Sequence, residues 1–253
     1  MQGTSRGMSV VTVVSLLAVV GLVVVHLFSN RLRFLDGTPR SIWLSIAGGI
    51  SVAYVFVHLL PELAEGQETI AEAVGESLAF LEHQIYLVAL VGLAVFYGLA
   101  RLATSSRRQR RRTGKEDSTS SGVFWLHIAS FGVYNLLIGY LLVRRLATGL
   151  EALLLFFIAM ALHFVVNDHG LREQHKEAYL RTGRWVLAAA VLIGWVVGLL
   201  TEISEVAIAM LTAFLAGGVV MNVLKEELPE ERESRFWAFA LGAAFYAALL
   251  LAL

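Results

Sequence analysis

Eight long apolar runs, separated by charged or polar segments, constrain this chain more than any other feature of its sequence. A helix that crosses the hydrocarbon core of a membrane needs about 20 mostly apolar residues. None of the runs alternates apolar and polar residues, as a barrel strand would. The sequence therefore predicts an all-α integral membrane protein with eight transmembrane helices in a single transmembrane domain, 1–253. The predicted spans are 8–28, 41–60, 84–102, 123–142, 150–166, 184–200, 206–224 and 236–253.

The placement of charge predicts the orientation of these spans. The 253 residues include 20 Lys and Arg and 20 Asp and Glu, so the formal net charge is zero and gives no overall attraction to nucleic acid, which we do not expect as a partner. With eight spans, 17 of the 20 basic residues fall in the loops and flanks on one side. Since basic loops stay in the cytoplasm, both termini are predicted to lie outside. We expect a bacterial or archaeal plasma membrane.

Two charged segments lie between spans. Residues 103–122 contain the run Arg107-Arg108-Gln109-Arg110-Arg111-Arg112 and predict a disordered basic loop on the cytoplasmic side, next to anionic lipid. Binding of RNA or of a specific lipid is the alternative. On the outer side, the loop after Pro61 carries several Glu residues and no Lys or Arg. It either gathers cations at an entrance or forms a solvated amphipathic helix.

A short motif occurs twice. Span two contains Ala47-Gly48-Gly49 and ends in Leu60-Pro61-Glu62, and span seven contains Ala216-Gly217-Gly218 and is followed by Leu228-Pro229-Glu230. These two spans run in opposite directions, so the motif predicts an inverted repeat of spans one to three and six to eight around spans four and five. Such architectures place the substrate near the midplane. Alternatively, the small residues recur because they allow membrane helices to approach closely.

Few polar side chains occur deep inside the predicted spans, and such residues are functional candidates because their burial in lipid is costly. In span five, His163 and Asn167 are four residues apart and therefore share one helical face. Asp168 is expected to point elsewhere, and the alternative for it is a solvated helix end. For His163 the alternative is a structural hydrogen bond to Tyr134 or Asn135 of span four.

Enzymatic chemistry has little support in the sequence. The chain has no Cys and no HExxH pair, which are typical of intramembrane or hydrolytic enzymes. We expect no enzymatic activity and no cofactor.

Taken together, these features resemble the ZIP (Zrt/Irt-like protein) family of metal transporters over nearly the whole chain. The shared features are eight spans with outside termini, a long loop between spans three and four, and spans two and seven that end at Leu-Pro-Glu. The family pattern HNxPEG of span four falls on residues 134–139 and retains Asn135. The pattern HExPHE of span five falls on residues 163–168, where His163 is retained, Asn167 stands at the second His and Asp168 at the final acid.

The resemblance implies a 3+2+3 inverted-repeat bundle, usually a homodimer, that moves zinc, iron or manganese towards the cytoplasm. It also implies a metal site between spans four and five at Asn135, His163, Asn167 and Asp168. A divalent ion at low dielectric requires anionic or strong neutral ligands, and Asp168 is the only charged member of this set. The alternative function is a ZIP-like protein that does not transport and acts as a receptor, regulator or scaffold.

Overall fold

The computed structural model describes residues 2–28, 31, 39–64, 84–114, 117–227 and 233–252. These residues contain helices and no strand, so the all-α prediction is confirmed for them. Two helices include a π-helical turn: Val55–Leu59 continues α2, and Tyr179–Gly183 precedes α6. The helices are α1 Gln2–Phe28, α2 Ile42–Tyr54, α3 Gln84–Arg112, α4 Ser121–Thr148, α5 Leu150–His175, α6 Arg184–Leu200, α7 Glu205–Glu227 and α8 Phe236–Ala252.

The apolar surface of the bundle is compatible with an integral membrane protein. Among the described residues, six helical segments are long and apolar enough to cross a membrane, and Thr12–Phe28 and Phe236–Ala252 are shorter apolar helices. Large apolar side chains such as Leu17 and Phe245 are exposed on the outside. Tryptophans near the starts of α2, α4, α6 and α8 are exposed too, as expected for rings that lie at a membrane interface.

Reciprocal glycine contacts join three pairs of helices. A Cβ atom on Gly49 of α2 would lie 2.1 Å from the carbonyl oxygen of Phe239 in α8, and one on Gly242 would lie 2.4 Å from that of Ile46. In each case the oxygen belongs to the residue three positions before the partner glycine. The same pattern occurs between α3 and α7, at Gly92 and Gly217, and between α4 and α6, at Gly139 and Gly194. Glycine at these positions therefore lets the backbones touch, as in tightly packed membrane helices.

Helix α5 packs against several neighbours. It contacts α1, α2 and α4, and its buried residues include Phe156, His163, Phe164 and Asp168. A helix with neighbours on several sides must be apolar or internally paired on most of its surface. This position brings the polar residues of α5 into the interior of the bundle.

Contacts between helix ends define two ends of the bundle. At one end, which we call the basic end, Arg184 at the start of α6 donates to the carbonyl of Leu27 in α1 with a distance of 3.2 Å. There the amide of Thr119, just before α4, also donates to the carbonyl of Gln174 in α5 at 3.2 Å. At the opposite end, Arg145 of α4 pairs with Glu62 after α2.

The predicted loop at 103–122 is partly helical, which corrects the expectation of disorder for its first half. Helix α3 continues to Arg112, since Arg and Gln are good helix formers and nothing in this segment breaks a helix. Asp117 accepts hydrogen bonds from Arg107, at 3.1 and 2.8 Å, and from Arg111. The hydrogen bonds from Arg111 and Arg107 hold the pKa of the Asp117 carboxyl well below its usual range.

Candidate functional site

A group of buried polar side chains from α1, α4 and α5 forms the candidate site. His26, Asn135 and His163 are fully buried and Asp168 is 1% exposed. Buried polar groups must find partners, because an unpaired polar group in a medium of low dielectric is costly. The contacts of these residues therefore show which groups are engaged and which are open to a ligand.

His26 of α1 links Asp168 of α5 to Asn135 of α4. Its Nδ1 lies 3.0 Å from each carboxylate oxygen of Asp168, and its Nε2 lies 3.2 Å from Oδ1 of Asn135. The Asn135 amide nitrogen donates to the carbonyl of Phe131 at 2.8 Å. Three helices are thus tied together by one imidazole ring.

The direction of these hydrogen bonds fixes the protons. Since the carbonyl of Phe131 can only accept, the amide oxygen of Asn135 must face His26, and Nε2 of His26 must donate to it. The Nδ1 atom faces a carboxylate, so one more proton lies between Asp168 and His26, on one of the two. With that proton the His26–Asp168 pair carries no net charge, which is the state that suits a buried pair.

His163 and Asn167 form the less satisfied half of the site. Nε2 of His163 lies 3.4 Å from the hydroxyl of Tyr134, which also lies 3.4 Å from the carbonyl of Leu215. Nδ1 of His163 and both amide atoms of the Asn167 side chain are buried without a hydrogen-bond partner. Such atoms are rare in folded proteins and indicate water, an ion or another ligand.

The expected site residues thus fall into two groups. His163 and Asn167 occupy successive turns of α5 as their spacing predicts, and the structural alternative for His163 finds a partner in Tyr134. Asn135 is engaged by His26 instead. Asp168 does not lie at a solvated helix end, which was the alternative for it, because α1 covers that face of α5 and supplies His26 as its partner.

His26 is the site residue that the sequence analysis missed. It is the only ionisable side chain in the run 8–28, and that isolation was the available signal. Its position two residues before the predicted end of span one is typical of an interfacial residue. Its partners are 109 and 142 residues away in sequence, so no local pattern connects them.

A second buried polar cluster lies at the end of the bundle opposite the basic end. Arg145 is 7% exposed, and its guanidinium donates to Glu62 at 2.5 Å and lies 5.7 Å from the centre of the Phe156 ring. The ring of Tyr54 stacks near His58, with centroids 5.1 Å apart. The pair of Arg145 and Glu62 therefore holds the end of α2 against α4 and covers the interior from that side.

The chemistry available at the candidate site is the binding of a small ion or polar ligand within the bundle. In the described part of the chain, no three His, Cys, Asp or Glu side chains converge as a metal-binding group. The donors that remain open are an imidazole nitrogen and an amide group on α5. No family model matches the chain, and no curated protein matches it.

Proposed function

We propose that this chain is a ZIP-like membrane transporter that carries a divalent metal ion of the zinc, iron or manganese class towards the cytoplasm. The observation that supports this most is the pair of unsatisfied donors on α5, Nδ1 of His163 and the amide of Asn167, which are buried in the interior of an apolar helical bundle. An imidazole nitrogen is a common ligand of transition metals. Asp168 would supply charge when its bond to His26 opens, with Asn135 beside it.

The proposed architecture is eight spans in a 3+2+3 inverted repeat. In this repeat, α1, α2 and α3 correspond to α6, α7 and α8. The pair formed by α2 and α8 therefore corresponds to the pair formed by α7 and α3, and both pairs cross at reciprocal glycines. The apolar part of α1, Thr12–Phe28, and helix α8 contain 17 residues each, about 25 Å of helix, which nearly crosses the hydrocarbon core. In this proposal both termini lie outside, in a bacterial or archaeal plasma membrane, and two copies form a homodimer.

The test is metal uptake by the purified chain in proteoliposomes. We expect flux of zinc, iron or manganese, reduced at least about tenfold in His163→Ala, because loss of even a residue that only supports a metal ligand typically costs a metal site 10- to 100-fold. Leu162→Ala is the matched control, since it shortens the neighbouring side chain of the same helix without removing a nitrogen. Absence of flux for all three metals, or equal flux in both variants, would contradict the proposal.

The second candidate is a ZIP-like protein that does not transport. It is supported by the His26–Asp168 pair, which engages the only carboxylate of the expected metal set and carries no net charge as a pair. This alternative predicts a folded protein with no bound metal after purification in zinc, whereas the transporter predicts a metal with His163 in its coordination shell. X-ray absorption spectroscopy of the zinc-loaded protein distinguishes the two, since it detects imidazole ligands directly.

A further inference from the structure

A cavity lies at the basic end of the bundle and has no part in the proposed metal site. Its volume is about 720 Å³. It is partly open to solvent and is lined by the end of α3, the segment before α4, the start of α4 and the turn that follows α5. Its lining combines two cationic side chains, Arg110 and Lys176, with hydroxyl groups and two aromatic rings, Phe124 and Trp125.

The electrostatics of this cavity favour an anion. Nε of Arg110 is buried without a hydrogen-bond partner. The carboxylate of Asp117 also lines the cavity, but Arg107 and Arg111 both donate to it and offset its charge. Glu177 is the other acidic lining residue, and both it and Lys176 are exposed to solvent. Arg110 and the paired Asp117 are therefore the partly buried charged groups of the lining.

The backbone at Lys176 is held in an unusual conformation next to the cavity. Its φ angle is 52°, in the left-handed region that residues other than glycine rarely adopt. The conformation ends α5, where the amide of Lys176 donates to the carbonyl of Arg172 at 2.8 Å. Such strain persists where the surrounding structure imposes it, and it is frequent at binding sites.

A chain of hydrogen bonds keeps one wall of the cavity in place. Nε2 of His127 donates to the carbonyl of Leu99 at 2.6 Å, which leaves Nδ1 of His127 to accept from Nε2 of His175 at 3.0 Å. Nδ1 of His175 then accepts from the hydroxyl of Thr119 at 2.5 Å. Because a carbonyl can only accept, it orients both neutral imidazoles and the hydroxyl. The wall is therefore formed before any ligand arrives.

The start of α4 adds donors that point to the same ligand class. Ser120 stands at the N-cap, but its side chain makes no capping hydrogen bond to the helix. Its hydroxyl and amide instead interact with Ser106 of α3, at 3.3 and 2.9 Å. The first amides of a helix lack intrahelical partners, and together with the helix dipole they bind phosphate groups well.

We propose that this cavity binds the headgroup phosphate of an anionic phospholipid. Arg110, Lys176 and the first turn of α4 surround the phosphate. Trp125, which is 51% exposed at the rim, places an amphipathic ring where the glycerol and the acyl chains leave the cavity for the apolar surface. A lipid rather than a soluble phosphate fits this combination of a polar interior and an interfacial aromatic rim.

The experiment is native mass spectrometry of the full chain, purified in detergent and stripped of lipid, during titration with phosphatidylglycerol or phosphatidylcholine. We expect the anionic lipid to bind at least about tenfold more tightly, since each nearby Lys or Arg contributes roughly fivefold at a membrane surface. Arg110→Gln combined with Lys176→Gln should remove this preference. Arg108→Gln combined with Arg112→Gln removes two positive charges as well, from exposed positions of α3. This control variant should keep the preference for the anionic lipid.

A third variant separates shape from charge. Ala178→Trp fills part of the cavity and leaves every charge in place, so we expect it to weaken phosphatidylglycerol binding as well. Thermal unfolding in the same detergent shows whether the double glutamine variant is folded. If it is not, the effect of Ala178→Trp alone tests whether phosphatidylglycerol binds in the cavity. Equal binding of both lipids, or equal loss in both double variants, overturns the proposal. Glycerol 1-phosphate binding as tightly as phosphatidylglycerol overturns the lipid as the occupant.

Discussion

Substitution of Gly139 by alanine tests the close crossing of α4 and α6. A methyl group there would lie 2.0 Å from the carbonyl oxygen of Val191 and 2.8 Å from the amide nitrogen of Trp195. Carbon and oxygen atoms in contact rest about 3.3 Å apart, so the two backbones would have to separate by about 1.3 Å. Because backbone atoms cannot rotate away, we expect a loss of about 2–3 kcal/mol, the upper part of the usual range for overpacking.

Gly132→Ala is the matched control for this prediction. It lies two turns earlier on the same helix, and nothing lies within 4 Å of a Cβ atom placed there. Alanine should stabilise α4 at this position by up to about 1 kcal/mol through its higher helix propensity. The free energy of unfolding of each variant is measured in mixed micelles by titration with dodecyl sulfate. Equal values for the two variants would refute the assignment of Gly139 to a backbone crossing.

Three further predictions concern the paired charges. His26→Phe should destabilise the protein by about 3–5 kcal/mol, because it leaves the buried Asp168 without its partner; Asp168→Asn in the same chain should restore part of this loss in a double-mutant cycle of unfolding free energies. Glu62→Gln should open the end of α2, and since the chain has no Cys, a cysteine placed at the buried Tyr54 should then react faster with a water-soluble maleimide; an unchanged rate would contradict the role of Glu62. The lowered pKa of Asp117 means that its ion pairs stabilise the protein above about pH 4 and that this contribution is lost as the pH falls through the folded-state pKa. Side-chain NMR titration of Asp117 should show a pKa below about 3.9 in the native chain. A normal pKa would contradict the pairing.

The helices were predictable from the sequence because their signal is local. The run at 184–200 has the same bounds in the sequence analysis and in the structure, since charge and glycine border it on one side and polar residues on the other. The extension of α3 to Arg112 was not predicted, because a cluster of like charges indicates a solvated loop. Asp117 compensates for that repulsion, and it does so from beyond the end of the helix.

The candidate site was predictable only where one helix determines it. The spacing of His163 and Asn167 places them on one face by helical geometry alone. The partner of Asp168 depends on which helix covers that face of α5, and this is decided by packing between segments 142 residues apart. For the same reason, the sequence identifies the small residues around Gly49 and Gly217 as sites of close helix approach. It does not identify which helices approach them.

The crossing of α1 and α5 departs from the pattern of the three glycine crossings. In the proposed inverted repeat, α4 and α6 correspond to α5 and α1, so a reciprocal glycine pair would be expected between α1 and α5 as well. There, instead, a Cβ atom on Gly21 would meet ring atoms of Phe157 at 2.8 Å, and His26 and Asp168 meet through their side chains. Side chains can change rotamer, while backbones in contact can only slide or separate. Among these four crossings, only the one between α1 and α5 can adjust without loss of backbone packing, and it carries the buried ionisable pair. In the proposed transporter, an ion that draws Asp168 away from His26 would therefore act directly on this crossing.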